Sequence, residues 1–361
     1  MATDVRARSD LAEKADALHR SAIVIDAMFG EANTAVGVTE PPDEMGGLTA
    51  AVITLAGPRA HHDLTYTIRE IVRQMDYIDF YADRLLLVRS VEDIQRAKNE
   101  RKLGLVFNFQ GISPIGTDLT LVRAYHELGV RSMQLTYMEH SLAGSGCFER
   151  EDRGLTSFGR QLIRAMERVG ILLDLSHVGR RTSLDALAFA KRPVVFSHCN
   201  PAALFDVPRN ITDEEIRACA STGGIVGLTP TCNRIAPKTA PRPTISDFVD
   251  HIVYVADLVG VDHVGVASDV IQANTPFLAG THWSRDMVDG IEERGSVALK
   301  EVAGVETKDG FSKVTLELMQ RGFSDEDILK VLGGNWMRVF RSAWLPQPAR
   351  ADGTGRLYMT L

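Results

Sequence analysis

The feature that most constrains the fold is an alternation, from residue 21 onward, of short β-branched apolar runs with longer amphipathic segments. This alternation is typical of βα units built on a parallel sheet. The apolar runs predicted to be strands span residues 22–26, 50–55, 103–109, 131–136, 171–176, 194–197, 225–228 and 264–268. Helical patterns lie between them, such as 156–169 before Gly170 and 246–259 before Gly260. Eight such units predict an α/β fold, a (β/α)8 barrel.

The chain length agrees with one barrel. A (β/α)8 barrel with extra loops accounts for 361 residues as a single domain. No linker or shift in composition divides the sequence. We therefore predict one domain over residues 1–361, with an N-terminal helix, two C-terminal helices over 312–321 and 325–340, and a tail.

Charge and cysteine usage limit the partners. The formal net charge is −7, and the basic clusters are broken by acids, so nucleic acid is not an expected partner. Four cysteines without C-x-x-C spacing indicate reduced thiols. No stretch of about 18 apolar residues occurs, and the N-terminus lacks an apolar leader pattern. These features predict a cytoplasmic protein without a membrane partner.

Two consecutive strands end in the same way, in Ser176-His177 and in Ser197-His198. A single strand-end histidine is more often structural, but imidazoles from adjacent strands converge at the carboxyl edge of a barrel. Zinc is the usual ion where histidine is the main ligand. The eighth strand places Asp269 on the same edge, either as a further functional carboxylate or as a loop cap.

Two other polar residues follow predicted strands. Gln110 ends the third strand, where its neutral amide is suited to bind a substrate or to coordinate weakly. Arg209 follows the second His strand, and its planar guanidinium is suited to bind a carboxylate. The alternative for Arg209 is an ordinary solvated loop arginine.

Together these residues resemble the renal (membrane) dipeptidase family of metallopeptidases, family M19, over about residues 20–342. The residues that carry the resemblance are Val24-Ile25-Asp26, the two Ser-His pairs, Arg209-Asn210, the segment 263–269 and the segment 333–339.

The resemblance implies a barrel whose active members hold two zinc ions. It implies that His177 and His198 hold the second ion, that Asp269 is the acid/base, and that Arg209 holds the terminal carboxylate of the substrate. Tyr137 stands where the family has a histidine that stabilises the tetrahedral intermediate, and a phenol is also able to donate to an oxyanion. The resemblance also makes a homodimer a reasonable expectation.

The chain departs from the family at the first metal position. Met28 and Gly30 stand where the family has a histidine and an aspartate, and Gln110 replaces the bridging glutamate. A thioether is a soft ligand unsuited to zinc, so Met28 is expected to pack. We therefore expect one divalent ion per chain, zinc, bound by His177, His198 and a third ligand, for which Asp269 is the first candidate.

The leading hypothesis is a metal-dependent hydrolase that acts on a C–N amide bond in a small carboxylate-bearing substrate, a dipeptide or an N-substituted amino acid. A second hypothesis is a barrel that has lost hydrolysis and binds a small ligand or a partner, since Met28, Gly30 and Gln110 replace ligands. A third is a lyase or isomerase that uses the altered first-metal pocket for its substrate.

Overall fold

A nine-stranded parallel sheet forms the centre of the molecule. It is seen in a computed structural model that describes residues 2–31, 46–57, 62–236, 238, 242–269, 302–305 and 310–345. The strands are β1 (Ile25–Glu31), β2 (Ala50–Ala56), β3 (Leu85–Leu87), β4 (Leu103–Phe109), β5 (Val130–Gln134), β6 (Leu172–Asp174), β7 (Val194–Phe196), β8 (Ile225–Leu228) and β9 (Val264–Val266). Eight of them are neighbours in the order β1-β2-β4-β5-β6-β7-β8-β9, while β3 lies outside this order and pairs with β4. The predicted (β/α)8 barrel is confirmed.

The gap between β9 and β1 is bridged just beyond the end of β9. The amide of Asp269 donates to the carbonyl of Met28 at 2.7 Å, and the amide of Ser268 donates to Asp26 Oδ1 at 2.8 Å. The Ser268 hydroxyl donates to the other oxygen of Asp26. The Asp26 side chain thus joins the first strand to the last.

One helix precedes the first strand, and the others lie between or after the strands along the chain. They are α1 (Ala2–Ser21), α2 (Leu64–Phe80), α3 (Val91–Glu100), α4 (Leu121–Glu127), α5 (Ser157–Val169), α6 (Arg180–Phe189), α7 (Asp213–Ser221), α8 (Ile245–Val259), α9 (Gly310–Gln320), α10 (Asp325–Leu329) and α11 (Asn335–Ala343). The start and stop signals predicted from the sequence are found at the two ends of α5. Thr156 caps its first turn by accepting from the amide of Gly159, and Gly170 ends it with φ +91°.

Three details differ from the sequence prediction. Strand β1 begins at Ile25 and continues through Met28 and Gly30, because its pairing with β2 resumes after an irregularity between Asp26 and Gly30. Strand β3 was not predicted, since three residues carry too little periodic pattern. The predicted helix over 325–340 is interrupted by a π-helical turn, Lys330–Gly334.

The C-terminal helix packs against two glycines of the sheet. Trp336 is buried, and a Cβ atom at Gly265 would collide with its indole ring. A Cβ atom at Gly227 would meet the Ser197 carbonyl and also approach Trp336. Only glycine permits this approach of helix to strand, so the segment 333–339 contributes to the fold by packing.

Other sequence predictions have different outcomes. Each of the four cysteines is a free thiol. Among the described residues, no helix has both the length and the apolar character needed to cross a membrane. Most of the predicted loop over 273–308 and of the tail lies outside the described residues, and the single domain over 1–361 stays a prediction.

Candidate active site

The loops after β6 and β7 bring two histidines together. His177 follows β6, His198 follows β7, and their Nε2 atoms are 2.8 Å apart. Both rings are buried, with 3% of His177 and none of His198 exposed. His177 has φ +71°, a conformation that is uncommon for a residue with a Cβ atom. Its carbonyl accepts from the amide of Cys147 at 2.8 Å, which helps to hold that conformation.

Asp174, at the end of β6, orients the neighbouring loop. Its Oδ1 accepts from the amides of Ser176 and Ser197, and its Oδ2 accepts from the Ser197 hydroxyl at 2.5 Å. The Ser197 hydroxyl also lies 2.6 Å from His198 Nδ1. A hydroxyl has a single proton, which goes to Asp174, so His198 Nδ1 is the donor in the second contact. His198 therefore presents the lone pair of Nε2 toward His177.

Both imidazoles are neutral near pH 7. Burial lowers the pKa of His177 well below its ordinary value, and the cationic Arg209 lowers it further. Burial also lowers the pKa of His198, with Asp269 opposing and Arg209 reinforcing the shift. Because ligand imidazoles must be neutral, this environment is compatible with metal binding.

Arg209 lines a cavity beside the histidine pair. Its Nη2 donates to the carbonyl of His198 at 3.2 Å, and its side chain is 5% exposed. A cavity of about 240 Å³ is bordered by Arg209, His177, Cys147 and Cys199. Among the described residues, no hydrogen-bond partner is found for the buried Arg209 Nε. The structure thus places Arg209 in a pocket, unlike a solvated loop arginine.

Asp269 is ion-paired with a residue that the sequence did not single out. Its Oδ2 lies 2.7 Å from Arg234 Nη2. Burial by itself would raise the pKa of Asp269, but Arg234, His198 and Arg209 outweigh burial and lower it. Asp269 is therefore a carboxylate at neutral pH, with φ +51°.

On the first strand, neutral groups lie where the resemblance implies a first metal position. Met28 is fully buried, and its sulfur lies 2.8 Å from Gln110 Nε2. The same Nε2 donates to Thr54 Oγ1 at 3.0 Å. Gly30 has no side chain to offer as a ligand. Met28 packs as expected, and Gln110 faces Met28 and Thr54.

Tyr137 lies flat against the histidine pair. Its ring stacks on that of His177 with centroids 3.9 Å apart and an interplanar angle of 21°. The predicted oxyanion donor is thus adjacent to the site, and its role stays a prediction.

The site meets part of what a metal ion requires. The two Nε2 atoms converge, and the buried His177 Nδ1 has no hydrogen-bond partner within the part of the chain that the structure describes. That free nitrogen can take the proton that His177 Nε2 must give up to become a ligand. Within the described part of the chain, no three His, Cys, Asp or Glu side chains form a group able to hold a metal ion. Asp269 as third ligand stays a prediction.

Comparison with known proteins identifies the family. The model of the membrane dipeptidase family, peptidase family M19, matches residues 42–305. The chain belongs to this family. The resemblance expected from the two Ser-His pairs, Arg209-Asn210 and Asp269 is confirmed.

Individual members of family M19 and solved structures extend the likeness. Dipeptidase tcpJ of Claviceps purpurea is 27% identical over 283 residues, which cover 78% of this chain and 60% of that protein. The match therefore spans less than two thirds of this relative's length. An amidohydrolase from Pseudomonas aeruginosa is 33% identical, covers 91% of this chain and 99% of its own, and has a TM-score of 0.80.

A second solved structure supports the barrel fold of this chain. It is a metallopeptidase from Rhodobacter sphaeroides, bound to a phosphinate mimic of the dipeptide L-Ala-D-Ala. It is 18% identical, has a TM-score of 0.74, and covers 90% of this chain and 100% of its own. This likeness shows the fold.

Sequence reasoning missed Arg234, Asp174 and Ser197 as site residues. Asp174 carried a usable signal, because a charged residue inside an apolar run needs partners when it is buried. Ser197 did as well, since a serine precedes each strand-end histidine. Arg234 carried none, because its partner Asp269 is remote in sequence.

Proposed function

We propose that this chain is a metal-dependent hydrolase that cleaves a C–N amide bond in a small substrate bearing a carboxylate. The observation that carries the proposal is the meeting of two neutral imidazoles, His177 and His198, beside a cavity bordered by Arg209. Membership of the membrane dipeptidase family supports it, as do the names of an amidohydrolase and a dipeptidase among the similar proteins.

His177 and His198 would hold one divalent ion, with zinc favoured by the imidazole ligands. Such an ion supplies Lewis-acid polarisation of a carbonyl and a lowered pKa for its water. The contact between Met28 and Gln110, both neutral, supports the proposal of one ion instead of two.

The remaining residues have separate tasks. Arg209 would bind the substrate carboxylate through charge-assisted hydrogen bonds. Asp269, ionised beside Arg234, would take a proton from the attacking water and pass it to the leaving nitrogen. Tyr137, stacked on His177, is our candidate donor to the developing oxyanion.

The volume of the cavity supports the proposed substrate class. A cavity of about 240 Å³ suits a dipeptide, a small N-substituted amino acid or a cyclic amide better than a longer peptide. The substrate, a homodimeric state and a cytoplasmic location are all proposals.

The test is metal content and turnover on the same preparations. Wild-type protein and the His177→Ala/His198→Ala variant are purified without chelators, analysed by plasma mass spectrometry, and assayed with dipeptides and N-acyl amino acids in H₂¹⁸O. We expect about one equivalent of metal in the wild type, none in the variant, and ¹⁸O in the product carboxylate of the wild type alone.

Two results would overturn this function. Undiminished turnover in the double variant would remove the histidines from the chemistry. Turnover without ¹⁸O incorporation would favour the lyase or isomerase alternative. The Met28–Gln110 contact favours a ligand-binding barrel as the second candidate, and binding of these substrates without turnover would support it.

A further inference from the structure

The cavity beside the histidine pair lies between two loops of the barrel edge. Leu175, His177 and Val178 border it from the loop after β6, and residues between Cys199 and Thr212 border it from the loop after β7. Its volume of about 240 Å³ is smaller than that of pockets for drug-sized ligands, which begin at about 300 Å³. The ligand that fits this cavity is therefore small.

One wall of the cavity carries a buried positive charge. Arg209 is 5% exposed, and its terminal nitrogens donate to neutral acceptors, the Cys199 sulfur at 3.6 Å and the carbonyl of His198 at 3.2 Å. Within the described ranges its Nε has no hydrogen-bond partner, and the carboxylate of Asp269 is paired with Arg234. A buried cation is costly without an anion beside it, so the cavity offers a site for an anionic group.

Much of the remaining wall is aliphatic. Six of the bordering residues have hydrocarbon side chains, and three of these six are buried. They are Leu175, Val178, Ala202, Val207, Pro208 and Ile211. Cys147 adds to this character, because burial raises the pKa of its thiol to about 11 and an uncharged thiol behaves as a small apolar group. A hydrocarbon chain placed against this wall would leave water, which is favourable.

The polar groups on the border oppose a second acid on the ligand. Asp206 is exposed at the border, and the carboxyl of Glu215 accepts from the amide and the hydroxyl of Thr212. Arg180 also borders the cavity, but it is ion-paired with Glu214 at 2.8 Å. Because like charges repel, this arrangement admits one anionic group and disfavours another.

We propose that the cavity is a specificity site for one carboxylate attached to a branched aliphatic chain. Arg209 binds the carboxylate, and the aliphatic wall encloses the chain. The preferred substrate is then an amide whose carboxylate-bearing residue has an aliphatic side chain, such as that of leucine. This statement about the substrate rests on the proposed function, whereas binding to the cavity needs neither a metal ion nor turnover.

The test is ligand-observed NMR titration with carboxylates that contain no amide bond. 4-Methylpentanoate should bind at least about tenfold more tightly than propanoate, because its longer chain buries more apolar surface. 4-Methylpentanamide, which lacks the charge, and glutarate, which carries a second one, should each bind at least about tenfold more weakly than 4-methylpentanoate. Equal affinity for 4-methylpentanoate and propanoate, or for the acid and its amide, would overturn the proposal.

A variant that fills the cavity locates the aliphatic chain. Ala202 is half-buried on the wall, so Ala202→Leu should lower the affinity for 4-methylpentanoate by about tenfold or more and that for propanoate by less than about twofold. Ala220→Leu is the matched control, because Ala220 is half-buried in α7 and is not among the residues that border the cavity. It should change neither affinity.

The pair of variants can contradict the assignment. An unchanged affinity for 4-methylpentanoate in Ala202→Leu, or the same loss in both variants, would overturn the placement of the chain in this cavity. Where the leucine variant does not fold, Ala202→Val adds a smaller side chain at the same position and replaces it.

Two results separate this inference from the proposed function. Preferential binding of 4-methylpentanoate without hydrolysis of any amide would retain the specificity site and overturn the hydrolase. Hydrolysis of N-acetylglycine and N-acetyl-leucine with equal kcat/KM would retain the hydrolase and overturn the specificity site. Where both proposals hold, kcat/KM for N-acetyl-leucine should be higher by about tenfold or more.

Discussion

The two sides of the barrel edge have opposite character. On the first-strand side, Met28 and Gln110 contact each other through a thioether and a neutral amide. On the β6–β7 side, His177 and His198 direct ring nitrogens at each other next to a cavity. Gln110 follows the carboxyl end of β4, and His177 and His198 follow those of β6 and β7, so both sides include residues at strand ends of one barrel. The difference shows that one sheet edge can hold neutral packing at one point and a polar cluster beside a cavity at another.

The first-strand side has the properties of a core. Met28 has no exposed surface, and Thr54 is 4% exposed. The β6–β7 side has the properties of a site. Its imidazoles have lowered pKa values because of burial and neighbouring arginines. No described residue is a hydrogen-bond partner of His177 Nδ1. A buried polar atom without a partner is costly, and such atoms are often retained for function.

The largest effect should come from the β6–β7 side. His198→Ala removes one of two converging nitrogens and should lower kcat/KM by roughly 10³-fold or more, the several kcal/mol that a catalytic ion supplies. Steady-state kinetics with metal analysis checks this. A loss in kcat/KM of less than tenfold would contradict the assignment of the reaction to the β6–β7 side.

A second effect concerns pH and the buried Asp26 of the first strand. Burial raises the pKa of its carboxyl from 3.8 to about 6, against hydrogen bonds from Ser268 and Met28 that lower it. The folded state therefore favours the protonated carboxyl of Asp26. This preference adds to the free energy of unfolding in full below about pH 4, and the addition is lost as pH rises through about 6. The loss is on the order of 3 kcal/mol.

Urea unfolding of wild type and Asp26→Asn at pH 4.5 and pH 7.5 measures this contribution. We expect the wild type to lose stability relative to the variant as pH rises between these values. A difference in the free energy of unfolding that is independent of pH would show that Asp26 titrates normally. The first-strand side would then be more accessible to water than its packing indicates.

A third effect concerns the anchor of the substrate. Arg209→Ala should lower kcat/KM by roughly 10- to 100-fold, the value of a hydrogen bond to a charged group. The same variant should lose almost nothing on a substrate whose carboxylate is replaced by a carboxamide. An equal loss on both substrates would show that Arg209 acts on the loop of His198 instead.

The smallest effect should come from Met28→Leu. This substitution conserves volume, so it should cost less than about 1.5 kcal/mol of stability and leave kcat/KM within about twofold. Thermal unfolding and kinetics check both values. A tenfold loss of activity or of bound metal would show that the thioether takes part in the site. The first-strand side and the β6–β7 side would then belong to one site.

Much of the candidate site could be predicted because the ends of strands can be recognised in the sequence. The runs that end in Ser176-His177 and Ser197-His198 predicted both imidazoles at one edge, and the structure brings them to 2.8 Å. Arg209 was predicted by resemblance, and the alternative of a solvated arginine was wrong, because the side chain is 5% exposed. Strand β3 and the π-helical turn were not predicted, since both are too short to impose a period.

The sequence by itself determined the barrel, the order of its strands and which side chains reach the carboxyl edge. These properties depend on local periodicity and on the fixed direction of parallel strands. Only the tertiary structure decided that Asp269 pairs with Arg234, that Asp174 orients His198 through Ser197, and that Met28 contacts Gln110. Which partner a buried polar group has depends on the distances between elements that are remote in sequence. No local sequence pattern encodes those distances.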